Sequence, residues 1–145
     1  MDIMTRQHWL GLLANSPATR LAELLQPHLP APTAISWLRH AQTGLVMLQG
    51  RSGGSGSRFN LGEISVSRAS CQIGGLLGHG WVRGSDGTHA ELIAQADALL
   101  QDPQHAPVLQ QVLQTLQQEL SARRAQRARE TAASKVEFFT MVRGE

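Results

Sequence analysis

The sequence predicts one α+β domain over residues 1–145, in which an antiparallel sheet of about four strands lies between N-terminal helices and a helical C-terminal third. Three observations lead to this fold class. The apolar residues follow a helical spacing in residues 1–30, alternate with polar residues in 34–83, and return to a helical spacing in 88–136. Residues 137–145 form a short apolar arm at the C-terminus.

The first 30 residues predict two short helices. The first runs from Thr5 to Ala14. For the second we expect Ser16 to be the N-cap and Pro17 the first helical residue, where the missing N–H of proline costs nothing. Prolines at positions 27, 30 and 32 then end the helical stretch.

Residues 34–83 predict the sheet. Strands are expected at residues 35–40 and 45–49, joined by a hairpin turn at residues 42–44. A third strand is expected at 63–68, where polar and apolar residues alternate strictly. Gly74 and Gly75 separate it from a fourth strand at 78–83.

From residue 88 onward the spacing is helical again. Two apolar stripes, in residues 92–100 and 109–120, are separated by Pro103 and Pro107 and predict two helices. Residues 121–135 are rich in alanine and arginine, and predict a helix with almost no apolar face.

The composition excludes several classes of protein. Cys71 is the single cysteine, so an intrachain disulfide is impossible and a reducing compartment is expected. The formal net charge of +2 lacks the broad basic excess of a dedicated nucleic-acid binder. The chain shows neither a secretory signal nor an apolar stretch of the ~20 residues that span a bilayer, so we expect a cytoplasmic protein without a membrane partner.

The glycine-rich segment at residues 51–58 is the first candidate site. Its glycines allow backbone N–H groups to converge on an anion, and its arginines add charge-assisted donors. It is not a Walker A sequence, since no Gly-Lys-Ser/Thr leads into a helix, and a mobile connecting loop is the alternative interpretation. The candidate phosphate-binding residues are Arg51, Gly53, Gly54, Gly56 and Arg58.

The segment at residues 84–91 is the second candidate. Asp86 and Gly87 predict a turn, and Thr88 with Glu91 matches a capping box. His89 would lie in the first helical turn, where it could contact a phosphate, transfer a proton or be an ordinary surface residue. The candidate catalytic residues are Asp86, His89 and Glu91, and no set of His, Cys, Asp and Glu has metal-ligand spacing.

The C-terminal residues from 136 onward are abruptly apolar. A cluster of this kind is an exposed patch unless it packs on the chain's own sheet or on another protein. We expect the second, and the candidate partner-binding residues are Phe138, Phe139, Met141, Val142 and Arg143.

Several stretches, in this order, resemble the PhnG family, the small subunit of the carbon–phosphorus lyase core complex. They are Thr5-Arg6-Gln7-His8-Trp9, Gln42-Thr43-Gly44-Leu45-Val46, Arg51-x-Gly-Gly-x-Gly-x-Arg58-Phe59, Trp81-Val82-x-Gly84-x-Asp86-x-x-His89-Ala90-Glu91 and Phe138-Phe139-Thr140-Met141-Val142-Arg143-Gly144. No single stretch is diagnostic, but the ordered set runs nearly end to end.

The resemblance implies a phosphonate-catabolism subunit with PhnI-, PhnH-, PhnJ- and PhnL-like partners. In that family, subunits acting together displace adenine from ATP by a phosphonate, and methylphosphonate gives α-D-ribose 1-methylphosphonate 5-triphosphate. The nucleosidase-like chemistry is attributed mainly to the PhnI-like subunit, and a separate radical subunit later cleaves the carbon–phosphorus bond. ATP would thus be a substrate of the assembly, with no cofactor on this chain alone.

Two other classes of function stay open. A stand-alone phosphate-ligand enzyme would need Asp86, His89 and Glu91 to converge with the glycine-rich segment, and would turn over ATP by itself. A small nucleic-acid-binding adaptor would use the arginines at 123, 124, 127 and 129, and its binding would fall steeply with salt.

Overall fold

Two N-terminal helices, an antiparallel sheet and two C-terminal helices follow one another along the chain in the order that the hydrophobic spacing predicts. The computed structural model describes residues 4–54 and 56–143, with side chains up to residue 136. Its elements are α1 (Arg6–Asn15), α2 (Ala18–Leu25), β1 (Ile35–Arg51), β2 (Arg58–Ile73), β3 (Leu76–Arg83), α3 (Gly87–Leu100) and α4 (Ala106–Arg143), with short 3-10 turns at Gln26–His28 and Pro32–Ala34. The predicted α+β class is confirmed.

The two N-terminal helices are confirmed, but the cap predicted for the second was wrong. Thr5 caps α1, and its hydroxyl accepts a hydrogen bond from the His8 N–H at 3.4 Å. The Ser16 hydroxyl instead donates back to the Leu12 carbonyl at 2.8 Å, a common alternative for serine at a helix end. Pro17 therefore occupies the N-cap position of α2.

The sheet has three strands, in the order β1-β2-β3, rather than about four. Residues 42–44, predicted as a hairpin turn, lie inside the long strand β1, with Gln42 opposite Arg68 and Gly44 opposite Val66. The register shifts between Trp37 and Arg39, and again between Arg39 and Gln42. Each shift leaves an extra residue on β1 before Gln42, and residues 42–44 then pair regularly with 66–68, so this stretch continues a bulged strand and does not reverse.

The chain reverses at its two glycine-rich stretches. The segment after Arg51 joins β1 to β2, and the Ser52 N–H donates to the Ser57 carbonyl at 3.3 Å across the turn. Gly74 and Gly75 join β2 to β3 with φ values of +56° and +84°. These left-handed values favour glycine, so the predicted break between two strands at Gly74 and Gly75 is confirmed.

Small residues bring α3 into direct contact with the sheet. Ala90, Ala94 and Ala98 of α3 are buried and face Gly78 and Gly80 of β3. A Cβ atom at Gly78 would overlap the Ala94 carbonyl, and one at Gly80 would overlap the Ala90 carbonyl. Glycine at both strand positions therefore sets the close approach of this helix.

A buried carboxylate ties α1 to α3 and β3. The Asp97 side chain is fully buried and accepts hydrogen bonds from Arg6 Nε at 3.1 Å, Arg6 Nη2 at 2.8 Å, Trp9 Nε1 at 2.8 Å and the His79 backbone N–H at 2.9 Å. The hydrogen bonds to Asp97 also raise the pKa of the Arg6 guanidinium. Each carboxylate oxygen thus has two donors, as a buried charge requires.

The long helix α4 has a packed half and an exposed half. Its buried residues are Leu109, Val112, Leu113 and Leu116. Residues 121–136 are almost entirely exposed, which confirms the prediction of a helix without an apolar face. The helical backbone continues to Arg143, and the side chains of the predicted partner-binding residues Phe138, Phe139, Met141, Val142 and Arg143 lie outside the described part of the structure.

We expect Asp97→Ala to lower the free energy of unfolding by about 2–5 kcal/mol, because each buried donor left without an acceptor costs about 1–3 kcal/mol. Arg6 is 45% exposed, so the loss arises chiefly at the Trp9 and His79 N–H groups. Urea unfolding of the isolated chain measures the change. Glu130→Ala, which removes an exposed carboxylate from α4, is the matched control and should change stability by less than about 0.5 kcal/mol. Equal effects of the two variants would contradict this role for Asp97.

Candidate functional site

Asp86 and Glu91 make structural contacts at the start of α3. Asp86 is the N-cap, and its carboxylate accepts from the His89 N–H at 3.1 Å. The predicted capping box of Thr88 and Glu91 was therefore wrong, because the helix begins at Gly87 and Thr88 lies inside its first turn rather than at the cap. Glu91 reaches β1 instead, with Oε1 3.4 Å from the Ala41 backbone nitrogen and 3.3 Å from His40 Nδ1.

His89 is buried and connects α3 to α1. Its ring Nε2 lies 2.9 Å from the Leu13 carbonyl oxygen, which can only accept, so Nε2 carries the proton and donates. The residue is only 5% exposed, yet it borders an open cavity of about 690 Å³ that is also lined by Trp81 and Arg83. Nε2, the ring nitrogen that could donate to a phosphate, is thus already engaged in a contact between helices.

The glycine-rich segment lies at the far end of a two-stranded extension, which we call the β-ribbon. It consists of residues 45–51 of β1 and 58–64 of β2, which run antiparallel to each other and lie beyond the pairing of β2 with β3 from Val66 to Ile73. At about 3.3 Å per residue, its tip is about 20 Å beyond the end of β3. Asp86, His89 and Glu91 therefore do not converge with the glycine-rich segment.

Arg51 and Arg58 face each other at the tip of the β-ribbon. With Gln49 and Gly50 they line an open cavity of about 260 Å³. Like charges directly opposite each other on paired strands are destabilising, and an anion between them would relieve the repulsion. Gly53 has a φ of +70°, and a Cβ at Gly56 would overlap the Ser52 carbonyl, so both glycines shape the turn. Phosphate binding by this segment, Gly54 included, stays a prediction.

The apolar side chains of the β-ribbon are exposed. They include Leu45, Val46, Met47, Leu48, Phe59 and Leu61. Leu61 and Phe59 pack over Gly50, where an added Cβ would lie 3.0 Å from Leu61 Cδ1 and 3.4 Å from Phe59 Cζ. The ribbon thus presents an apolar surface that no other described part of this chain covers.

Sequence reasoning missed one polar pair, Ser70 and His79. They are opposite residues of β2 and β3, and Ser70 Oγ lies 2.8 Å from His79 Nδ1. Within the described residues no carboxylate contacts this imidazole, so the pair lacks the third group that orients a catalytic base. We interpret it as a cross-strand hydrogen bond.

The described residues contain no group of three or more His, Cys, Asp or Glu side chains that could hold a metal ion. In the same part of the chain, none of the helices has the length and apolar character needed to cross a membrane.

Cys71 is expected to be unreactive in the folded protein. Burial, and secondarily the charge of Asp97, raises the pKa of its thiol from 9.0 to about 11. The folded state therefore favours the protonated form, and at pH 8 the thiolate fraction is about 100-fold lower than at a pKa of 9. The rate at which Cys71 reacts with a chromogenic disulfide, in buffer and in urea, compares the reactivity of the thiol in the folded and unfolded chain. Labelling in buffer as fast as in urea would contradict it.

Comparison with known proteins identifies the family. The family model described as "Phosphonate metabolism protein PhnG" matches residues 4–144. The chain is also 38% identical over 144 residues to the α-D-ribose 1-methylphosphonate 5-triphosphate synthase subunit PhnG of Rhizobium meliloti (strain 1021), a match that covers 99% of this chain and 92% of that protein. Both matches span the stretches on which the resemblance rests. The chain belongs to the PhnG family.

Proposed function

We propose that this chain is the PhnG-type subunit of an α-D-ribose 1-methylphosphonate 5-triphosphate synthase. The observation that carries the proposal is the 38% identity over 144 residues to a relative named as a subunit of that enzyme. The proposed partners are PhnI-, PhnH-, PhnJ- and PhnL-like subunits of the same pathway. The role is that of one component of a multi-subunit enzyme.

The proposed reaction displaces adenine from ATP. A phosphonate oxygen forms a bond to C1′ of the ribose while the bond from C1′ to adenine breaks. Adenine leaves with the electron pair and takes up a proton, and the triphosphate stays on the 5′ carbon. The assembly must therefore bind two anionic groups and supply a proton to the leaving base.

The candidate catalytic residues of this chain are engaged elsewhere, which supports an active site completed by partner subunits. Asp86 caps α3, the His89 ring binds the Leu13 carbonyl, and Glu91 contacts β1. Arg51 and Arg58 are different, because their charges face each other at an exposed tip. We assign them contact with a phosphate or phosphonate group in the assembly.

The isolated chain is expected to release no adenine from ATP with methylphosphonate, and reconstitution with the partner subunits should restore release. The reason is that its candidate acid–base residues, Asp86, His89 and Glu91, do not converge with the arginines assigned to the anion. Chromatographic measurement of adenine, with and without partners, distinguishes the cases. Robust turnover by the pure chain that is abolished in His89→Ala would support the stand-alone enzyme instead.

Arg51→Ala and Arg58→Ala should each lower kcat/KM of the reconstituted assembly by about 10- to 100-fold, the loss expected for a charge-assisted contact worth about 1.5–3 kcal/mol. Both side chains are exposed, so the variants should keep the stability of the wild type. Arg127→Ala, which removes an exposed arginine of α4, is the matched control. Unchanged kinetics in both tip variants would favour the mobile-loop interpretation.

A further inference from the structure

The β-ribbon cannot depend on its own packing for stability. A two-stranded hairpin is at best marginally stable in water, and three or more strands or a packed helix are needed for independent stability. Residues 45–51 and 58–64 lie beyond the pairing with β3, and their apolar side chains are exposed on the described chain. Leu45 and Leu61 are 67% and 63% exposed.

The apolar side chains occupy both faces of the β-ribbon. Val46 lies opposite Ile64, and Phe59 lies opposite Gly50, so one face is apolar along its length. Leu45 and Met47 alternate with Val46 along β1 and therefore lie on the other face, opposite Ser65 and Glu63. A partner that buries the apolar side chains of both faces has to enclose the ribbon in a cleft, since packing on one face would leave Leu45 and Met47 exposed.

Charge indicates what kind of chain provides the cleft. Apart from the tip pair that is assigned to an anion, the three strands carry Arg39, Arg68 and Arg83 next to the base of the ribbon, and Glu63 is their acidic residue. A second copy of this chain, docked on the same surface with the ribbon tips together, would place arginine against arginine. A different protein with acidic residues around an apolar cleft has the complementary charge.

The side chains also distinguish protein from nucleic acid. Single-stranded nucleic acid binds through aromatic platforms interleaved with basic residues. The β-ribbon instead offers mainly leucine, valine and methionine, and its aromatic residue Phe59 packs with Leu61 over Gly50. Aliphatic side chains on an extended backbone with open edges suit a protein groove.

We propose that the β-ribbon is a docking arm that inserts into an apolar cleft, edged by Asp and Glu, on a different protein chain. The proposed function supplies the identity of that chain as another subunit of the synthase, and to that extent the inference rests on it. The chemistry of the cleft follows from the ribbon alone. Strand addition along the open ribbon edges would orient the arm.

The test is co-expression of the full-length chain with the other synthase subunits, followed by size-exclusion chromatography and titration of the purified chain against the partner assembly. Leu48→Glu and Leu61→Glu each place a carboxylate on an exposed ribbon position. Because these positions are exposed, both variants should retain the thermal stability of the wild type, yet bind the partners at least about tenfold more weakly. Val108→Glu changes an exposed valine of α4 and should bind like the wild type.

Three results would overturn the proposal. One is undiminished assembly of both ribbon variants. The second is that the isolated wild-type chain forms a homodimer and the ribbon variants do not, which would show that the ribbon binds a second copy of this chain. The third is retention of RNA that is lost in the variants while partner binding persists. If the subunits assemble through the ribbon but release no adenine from ATP, the docking proposal stands and the proposed function is wrong.

Discussion

The arrangement of the layers depends on the buried carboxylate of Asp97. Its four hydrogen bonds come from α1 and β3, so one side chain of α3 fixes the elements on both sides of it. A buried carboxylate is stable only while such donors surround it, which couples the position of α1 to that of the sheet. Thr5 caps α1, while Arg6 and Trp9 bind Asp97, so the N-terminal stretch that resembles the PhnG family has a structural role.

The helix α3 packs on one face of the sheet and leaves the opposite face open. Ser67, Ala69 and Cys71 of β2 are buried on the side of α3, and Arg68 alternates with them to the opposite face. There its guanidinium lies 5.7 Å from the ring centre of the half-exposed Trp81. Close packing of α3 on Gly78 and Gly80 therefore buries one face of the strands. The arginine side chains of the strands remain partly or fully exposed to solvent.

The sequence located the helices and the sheet, but not the number of strands or the contacts between the elements. Hydrophobic spacing is local, so it shows where helices and extended segments lie, and the ordered motifs identified the family. The turn predicted at residues 42–44 failed because polar residues and a glycine occur both in turns and within strands, and here they pair with residues 66–68 next to two bulges. Asp97 carried no local signal, since its partners Arg6 and Trp9 are about 90 residues away. The β-ribbon could not be predicted for a related reason. Alternation of polar and apolar residues predicts a strand, but it does not show where the neighbouring strand ends.

The position of the arginine pair links assembly to chemistry. Arg51 and Arg58 lie at the end of the apolar β-ribbon. Burial of the β-ribbon in a partner, as proposed, would place both arginines in a less hydrated site. An arginine–phosphate contact is weakened by water and salt at an exposed tip and becomes much stronger where solvent is excluded. The isolated chain holds these charges in water, where a contact with an anion would be weak. On docking as proposed, the same residues would gain affinity for an anion without any change in their own geometry, which would explain why the proposed reaction needs the whole assembly.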